Sequence, residues 1–145
     1  MAQPAYDDSN IFAKILRGEM PCHRVFEDDV ALAFMDIMPR ITGHTLVIPK
    51  FACRNILDAD PEVLSALMPR VQMIAKASKQ AFNADGITLQ QFNEQVGGQV
   101  IFHLHFHILP RFAGVELKPP ASGMEEPEIL EAQATKIAAA IDALA

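Results

Sequence analysis

The 145-residue sequence has no tryptophan and only two cysteines, Cys22 and Cys53. Two cysteines make no disulfide framework, so free thiols in a reducing compartment are expected, with the cytoplasm as the default location. No apolar run approaches the roughly 20 residues that a membrane-spanning helix needs. The opening Met-Ala-Gln-Pro-Ala-Tyr-Asp-Asp lacks the basic start and apolar core of a signal peptide. Twelve Lys and Arg against 18 Asp and Glu, a formal charge of −6, leave no clustered basic surface for nucleic acid. The expectation is a soluble protein with neither nucleic acid nor membrane as partner. A phosphate would have to be held locally, by backbone amides, amide side chains or protonated histidines. A Gly-rich Walker loop is missing too, so ATPase chemistry of the P-loop kind is not indicated. There is no internal repeat and no low-complexity segment, and the length suits a single domain over residues 1–145.

What is present divides into regular segments. Residues 1–8 read as a loose arm. Asp8 or Ser9 can cap a short helix through about Arg17, with Ile11, Phe12, Ile15 and Leu16 at helical spacing and Gly18 as its stop. Arg24 to Phe26 and Val30 to Asp36 read as a hairpin around Glu27-Asp28-Asp29. Gly43 permits a bend into a third strand, His44 to Ile48, closed by Pro49. Asp60-Pro61-Glu62 opens a long helix to about Asn83, with Gly86 just beyond its end. Pro69 predicts a kink or split near Ser65 to Met68. Ile87 to Phe92 is a strand, Asn93 to Gly98 a loop, and Gln99 to Leu109 a strand. A C-terminal extension, residues 112–145, carries a helix over about 127–144 with Leu130, Ala134, Ile137, Ile141 and Leu144 at steps of four and three. Strands closely following one another around one long helix predict an α+β fold, an antiparallel meander sheet with helices packed on it.

The stretch Gln99 to Arg111 places His103, His105 and His107 at every second residue, between Phe102, Leu104, Phe106 and Ile108. On a strand the three imidazoles share one face while the apolar residues enter a core. Neighbouring histidines would then sit roughly 7 Å apart at Cα and the outer two roughly 14 Å. Metal–nitrogen bonds of about 2.0–2.1 Å cannot gather all three on one ion, so no metal is expected, although a pair could share one with outside help. Imidazole is nucleophilic when neutral and a hydrogen-bond donor when protonated. Such a row beside a Gly-Gly-Gln loop therefore suits attack on a phosphorus centre.

His103-Leu-His-Phe-His-Ile-Leu-Pro-Arg111 resembles the His-x-His-x-His signature of the histidine triad superfamily of nucleotide hydrolases and transferases. Asn10-Ile-Phe-Ala-Lys-Ile-Leu-Arg-Gly-Glu, Phe34-Met-Asp-Ile-Met-Pro, Gly43-His-Thr-Leu-Val-Ile-Pro-Lys50 and Gly98-Gln99-x-x-x-His103 are similar to the family in the same order. The likeness spans residues 10–111 and is strongest to the Hint branch and its bacterial relatives. It implies a homodimer with a sheet continuous across both protomers, binding of a purine nucleoside monophosphate or its phosphoramidate or polyphosphate esters, and a covalent nucleotidyl-histidine intermediate. No cofactor is implied.

By the same resemblance His105 is the nucleophile on the α-phosphate, His103 orients the site, His107 contacts phosphate and assists the leaving group, and His44 buttresses the triad. Gln99 and Asn93 match the amides that touch phosphate, with Gly97 and Gly98 allowing close approach of the backbone and Val100 offering its amide. Asp36 matches the carboxylate that accepts from ribose hydroxyls, and Ile11, Phe12, Phe34 and Ile37 match the walls of the base pocket. His23 is expected at the surface. The sequence also departs from the family. Where many relatives carry Cys-x-x-Cys as part of a zinc site, Asn10 and Ala13 stand here, so structural zinc is not expected. Glu94-Gln95-Val96 replaces a Gly-bearing loop, Val100 replaces a small hydroxyl residue, and the Trp-bearing tail is replaced by the C-terminal helix. The preferred activity is nucleoside phosphoramidate hydrolysis; the alternatives are dinucleoside polyphosphate hydrolysis and a nucleotide-binding regulator with little catalysis.

Overall fold

A computed structural model describes residues 4–144. In chain order the elements are α1 (Ile11–Leu16), β1 (Arg24–Glu27), β2 (Ala31–Met35), β3 (Thr45–Pro49), α2 (Pro61–Ala81), β4 (Gly86–Gln90), β5 (Phe106–Arg111) and α3 (Pro127–Leu144). The five strands form one antiparallel sheet in the order β1-β2-β3-β5-β4. The chain meanders through β3, crosses with α2 to the far edge, and returns so that β5 lies between β3 and β4. An α+β architecture with an antiparallel sheet is therefore what the sequence forms.

The sheet separates two cores, and side-chain alternation along each strand assigns residues to one or the other. Ala31, Ala33, Met35, Val47, Phe106 and Ile108 pack with Leu67, Val71 and Ile74 of α2 and Leu130, Ala134 and Ile137 of α3. Leu32, Phe34, Leu46 and Ile48 face the other way and pack with Phe12 of α1. Burying each Leu, Ile or Phe side chain contributes roughly 1.5–3 kcal/mol, so the larger face holds the fold and the smaller one, under a single short helix, is left for a site. The C-terminal helix thus belongs to the core face of its own chain, with its last predicted apolar residue, Leu144, exposed.

Local chemistry moves several boundaries. The α1 cap is Asn10, whose Oδ1 accepts from the Ala13 amide at 2.9 Å; Asp7 and Ser9 bond each other instead. Asp28 Oδ1 accepts from both the Val30 and Ala31 amides, which draws Val30 into the turn and leaves Glu27 in β1. Asp60 caps α2 through the Glu62 amide at 2.8 Å. The predicted split at Pro69 does not occur; α2 continues unbroken, and Arg70 Nη1 donates to the Ala66 carbonyl at 2.7 Å in that turn. Asn83, at φ +49°, supplies the left-handed stop, while Gly86 begins β4. Among the described residues no helix is long and apolar enough to cross a membrane.

Candidate active site

Only His107 of the three histidines lies within a strand, because β5 begins at Phe106 and the stretch from Gln99 to His105 is irregular. The predicted strand was too long at its start. The reason lies with its neighbour: β3 pairs with β5 only from Thr45 to Val47, and beyond that the chain bonds singly, Leu104 N–H to Cys53 O at 2.9 Å and the His103 ring to Pro49 O. The alternation nonetheless persists. Leu104, Phe106 and Ile108 enter the larger core, and the imidazoles face the α1 side.

Hydrogen-bond partners fix where each ring carries its proton. His103 Nε2 is 2.9 Å from Pro49 O, which only accepts, so Nε2 bears hydrogen and Nδ1 accepts from the Tyr6 hydroxyl at 2.6 Å. His105 Nδ1 donates to the His103 carbonyl at 2.7 Å, and Nε2 keeps its lone pair without a partner among the described residues. His44 Nδ1 accepts from the Arg40 amide at 3.1 Å, so its Nε2–H is directed to His107 Nδ1 at 3.0 Å. That leaves His107 with its hydrogen on Nε2.

Burial keeps these rings neutral. It pushes His44 and His103 down to about 4 and His107 to about 3, with the Arg40 cation acting in the same direction on His44 and His107. His105, 8% exposed, is lowered by the same desolvation, opposed by its bond to the His103 carbonyl. The Phe12 ring meets His105 edge-on with centroids 4.9 Å apart, and His105 and His107 stand 5.0 Å apart. A neutral imidazole with a free nitrogen beside a second ring presenting N–H is an arrangement for attack on an electrophile with donation to its oxygens.

Asp36 follows β2 directly; Oδ1 accepts from the Met38 amide at 2.8 Å and Oδ2 lies 3.5 Å from His44 Nε2. Burial raises its carboxyl above the usual range, against the lowering effect of the Met38 amide. Ile11 and Ile37 keep exposed surface at 37% and 41%, whereas Phe12 and Phe34 are buried in the smaller core. Arg40 enters from the same loop: its guanidinium donates to Lys118 O at 2.8 Å and to Gln90 Oε1 at 3.4 Å. Gln90 is the β4 partner of His107, so its side chain shares that face.

The loop amides are placed differently from the expectation. Gln99 is 3% exposed, and its side chain is fully engaged: Oε1 accepts from Asn55 Nδ2 and the Glu94 amide, and Nε2 donates to Arg54 O and Ile101 O. Asn93 Oδ1 accepts from the Ile56 amide and Gln91 Nε2, while Nδ2 donates to Gln91 Oε1. Both side chains are spent on holding the loop's shape. Gly98, at φ +101°, turns the chain where a Cβ would lie 3.2 Å from the Phe92 ring. The Val100 amide has no partner among the described residues, and its side chain is exposed. Glu94 occupies φ +66°, ψ +161°, a region that costs a non-glycine residue about 1–3 kcal/mol. Its carboxylate holds Arg54 at 2.9 and 3.0 Å and Asn55 at 2.6 Å.

Two metal positions can be tested against these bonds. Asp36, His44 and His107 present ligand atoms within 4.8 Å of one another. An ion on His44 Nε2 would displace its hydrogen while Nδ1 still accepts from Arg40, forcing an imidazolate. The zinc position implied for many relatives fits no better: Ala13 has no donor atom, and the Asn10 amide is engaged on both sides. His23, expected at the surface, is half-buried with Nδ1 2.9 Å from Glu131 Oε2 of α3. Sequence reasoning missed Tyr6, Arg40, Arg54, Asn55 and the Pro49 carbonyl as partners of the site. Tyr6 is the only tyrosine in the chain, four residues before the helix cap, which was the one available signal.

The HIT domain family model matches residues 17–114. An adenylylsulfatase, HINT3, from Arabidopsis thaliana is 41% identical over 101 residues, 70% of this chain and 51% of the relative; the chain spans about half its length. An adenosine 5′-monophosphoramidase, HNT1, from Saccharomyces cerevisiae is 36% identical over 112 residues, covering 77% of this chain and 68% of the other. A solved Hit-like protein from Bartonella henselae, described as involved in cell-cycle regulation and carrying an unknown ligand, superimposes with TM-score 0.91 at 58% identity over 94% of this chain and 99% of that one.

Proposed function

The chain belongs to the HIT domain family, and from that premise we propose that it hydrolyses phosphoramidates of AMP-like purine nucleotides through a covalent nucleotidyl intermediate on His105. The observation that carries this reading is the His105 ring itself. One nitrogen is tied to the His103 carbonyl at 2.7 Å and the other is unpartnered, in a setting dry enough to keep the ring neutral. Adenylylsulfatase and monophosphoramidase relatives, as their names state, act on adenylyl compounds, and this supports a nucleotide hydrolase.

In the proposed sequence the Nε2 lone pair of His105 attacks the α-phosphorus and the P–N bond breaks. The electron pair of that bond leaves with the amine nitrogen, which has taken one proton from solvent before cleavage. His107 Nε2–H and the Val100 amide donate to the phosphate oxygens, where negative charge builds. Water then attacks phosphorus, the bond to Nε2 breaks with its electron pair returning to the ring, and AMP departs while the water's second proton passes to solvent. Asp36 accepts from the ribose hydroxyls, and Ile11 and Ile37 provide the exposed apolar surface for the base. We infer a homodimer joined along β4, since α3 packs beside β1 at the other edge and β4 is left partly exposed, with Leu89 at 46%.

A second reading, cleavage of dinucleoside polyphosphates or other adenylyl compounds with anionic leaving groups, is favoured by Arg40, a cation on the His107 face of the sheet. Parallel assays on an adenosine phosphoramidate and a diadenosine polyphosphate separate the two. The covalent mechanism is tested by rapid quench into alkaline denaturant followed by intact-mass measurement. An added nucleotidyl mass is expected in the native protein and none in His105→Ala; undiminished AMP release by His105→Ala would overturn it.

A further inference from the structure

His103 does not contact the reacting atoms in this arrangement, yet its carbonyl is the group that orients His105, so whatever fixes His103 also fixes the nucleophile. Two contacts do so. Pro49 O takes the Nε2 hydrogen at 2.9 Å, and on the other side Nδ1 lies 2.6 Å from the hydroxyl of Tyr6, with the two rings edge-to-face at 5.6 Å.

The Tyr6 hydroxyl is itself directed. Asn10 Oδ1 accepts from the Ala13 amide as the α1 cap, which identifies the other amide atom as the donor, and Asn10 Nδ2 donates to Tyr6 Oη at 3.0 Å and to Asp7 O at 2.8 Å. A hydroxyl that accepts from Asn10 keeps its single hydrogen for His103. Arg17 Nη1 donates to Asp8 O at 2.9 Å, fastening the same segment from the end of α1. Part of the stretch expected as a loose arm is therefore built into the histidine site.

We propose that Tyr6 is a positioning residue of this site, its hydroxyl, held by Asn10, donating to His103 Nδ1 so that His103 stays neutral in a single tautomer and presents its carbonyl to His105. The proposal rests on the reading of His105 as the nucleophile. The titratable and charged groups around the pair are few: His105 beside His103, and Cys53, Asp8 and Arg17 around Tyr6. Burial pushes the Cys53 thiol up to about 11, so it stays uncharged, and Asp8 and Arg17 act on Tyr6 in opposite directions. Removing the hydroxyl frees His103 Nδ1 to take a proton, and a cation forms beside the nucleophile at a pH where the native site is neutral.

The test uses the full chain with histidine labelled at the ring nitrogens, and three substitutions. Tyr6→Phe keeps the ring and removes the hydroxyl. Asn10→Asp keeps an oxygen for the α1 cap but offers Tyr6 an acceptor, which draws its hydrogen away from His103. Asn10→Ser keeps a cap and removes only the support. In the native protein the His103 nitrogen shifts should report a single tautomer with hydrogen on Nε2 throughout pH 6–8. Tyr6→Phe and Asn10→Asp should mix the tautomers or raise the titration point of His103. With an adenosine phosphoramidate both should lower kcat about 5- to 20-fold with KM within twofold, and move the acid limb of the kcat profile toward neutrality by about one pH unit; Asn10→Ser should do less. His103 shifts in both variants that superimpose on the native ones would overturn the proposal, whatever happens to kcat. If native protein shows no turnover, the hydrolase reading fails while the nitrogen shifts still decide the role of Tyr6.

Discussion

His44 and His107 share one hydrogen across 3.0 Å, and it belongs to His44. The Arg40 amide donates to the far nitrogen of His44, which leaves only Nε2 to carry hydrogen, and His107 must accept through Nδ1. Position 40 of the backbone thus dictates which nitrogen of residue 107 keeps its hydrogen.

His44→Phe should break that dictation while filling similar volume. His107 would lose its donor and could place hydrogen on either nitrogen. Losing one bond to a buried group, about 1–3 kcal/mol, corresponds to a roughly 5- to 160-fold loss in kcat. Steady-state kinetics on an adenosine phosphoramidate should show this with KM little changed.

The depressed histidines couple stability to pH. Unfolded, each has a pKa near 6.5; folded, His44 and His103 lie at about 4. Between these values the unfolded chain binds protons that the native chain refuses, so stability is full above about 6.5 and falls as the pH drops toward 4. Each such histidine steepens the fall by up to about 1.4 kcal/mol per pH unit. Denaturant titrations at pH 7, 6 and 5 should show the decline, and His44→Phe should make it shallower.

Gly43 precedes His44 at φ +83°, and a Cβ there would lie 2.6 Å from the Phe82 ring and 3.0 Å from Pro110. Its amide donates to Gln133 of α3 at 3.1 Å, which leaves the turn little room to shift. Gly43→Ala combines a left-handed backbone cost of about 1–2 kcal/mol with overpacking of about 1–3 kcal/mol. Thermal melting should show a loss in that combined range, and activity should fall with it because His44 moves.

Gln99 discriminates between two roles. If its amide served phosphate, Gln99→Glu would raise KM and spare stability. Its Nε2, however, donates to two carbonyls in a buried position, and a carboxylate oxygen there would face both. A loss of about 2–4 kcal/mol in unfolding free energy is expected, read by calorimetry alongside KM.

Much of this was legible in the sequence because it depends on local periodicity or on fixed chemistry. The Asp60-Pro61 helix start and the α3 stripe both follow from spacing. The one-sided histidine row follows in the same way, even though its paired strand begins later than the alternation does. What escaped prediction involves partners far apart along the chain. Tyr6 and His103 are 97 residues apart, and Pro49 and His103 are 54 apart; no pattern at either end announces the other. Gln99 and Asn93 escaped for a different reason: an amide suits a phosphate and a carbonyl equally well, and only the fold decides which it meets.

The dryness of the site has a further consequence. Charge–charge effects weaken as ionic strength rises, whereas the exclusion of water from a packed interior does not. Burial is the largest cause of the depressed value for every one of His44, His103, His105 and His107. The four rings should therefore keep the same protonation from dilute buffer to molar salt, and the field of the Arg40 guanidinium is the part of the site that salt would erode.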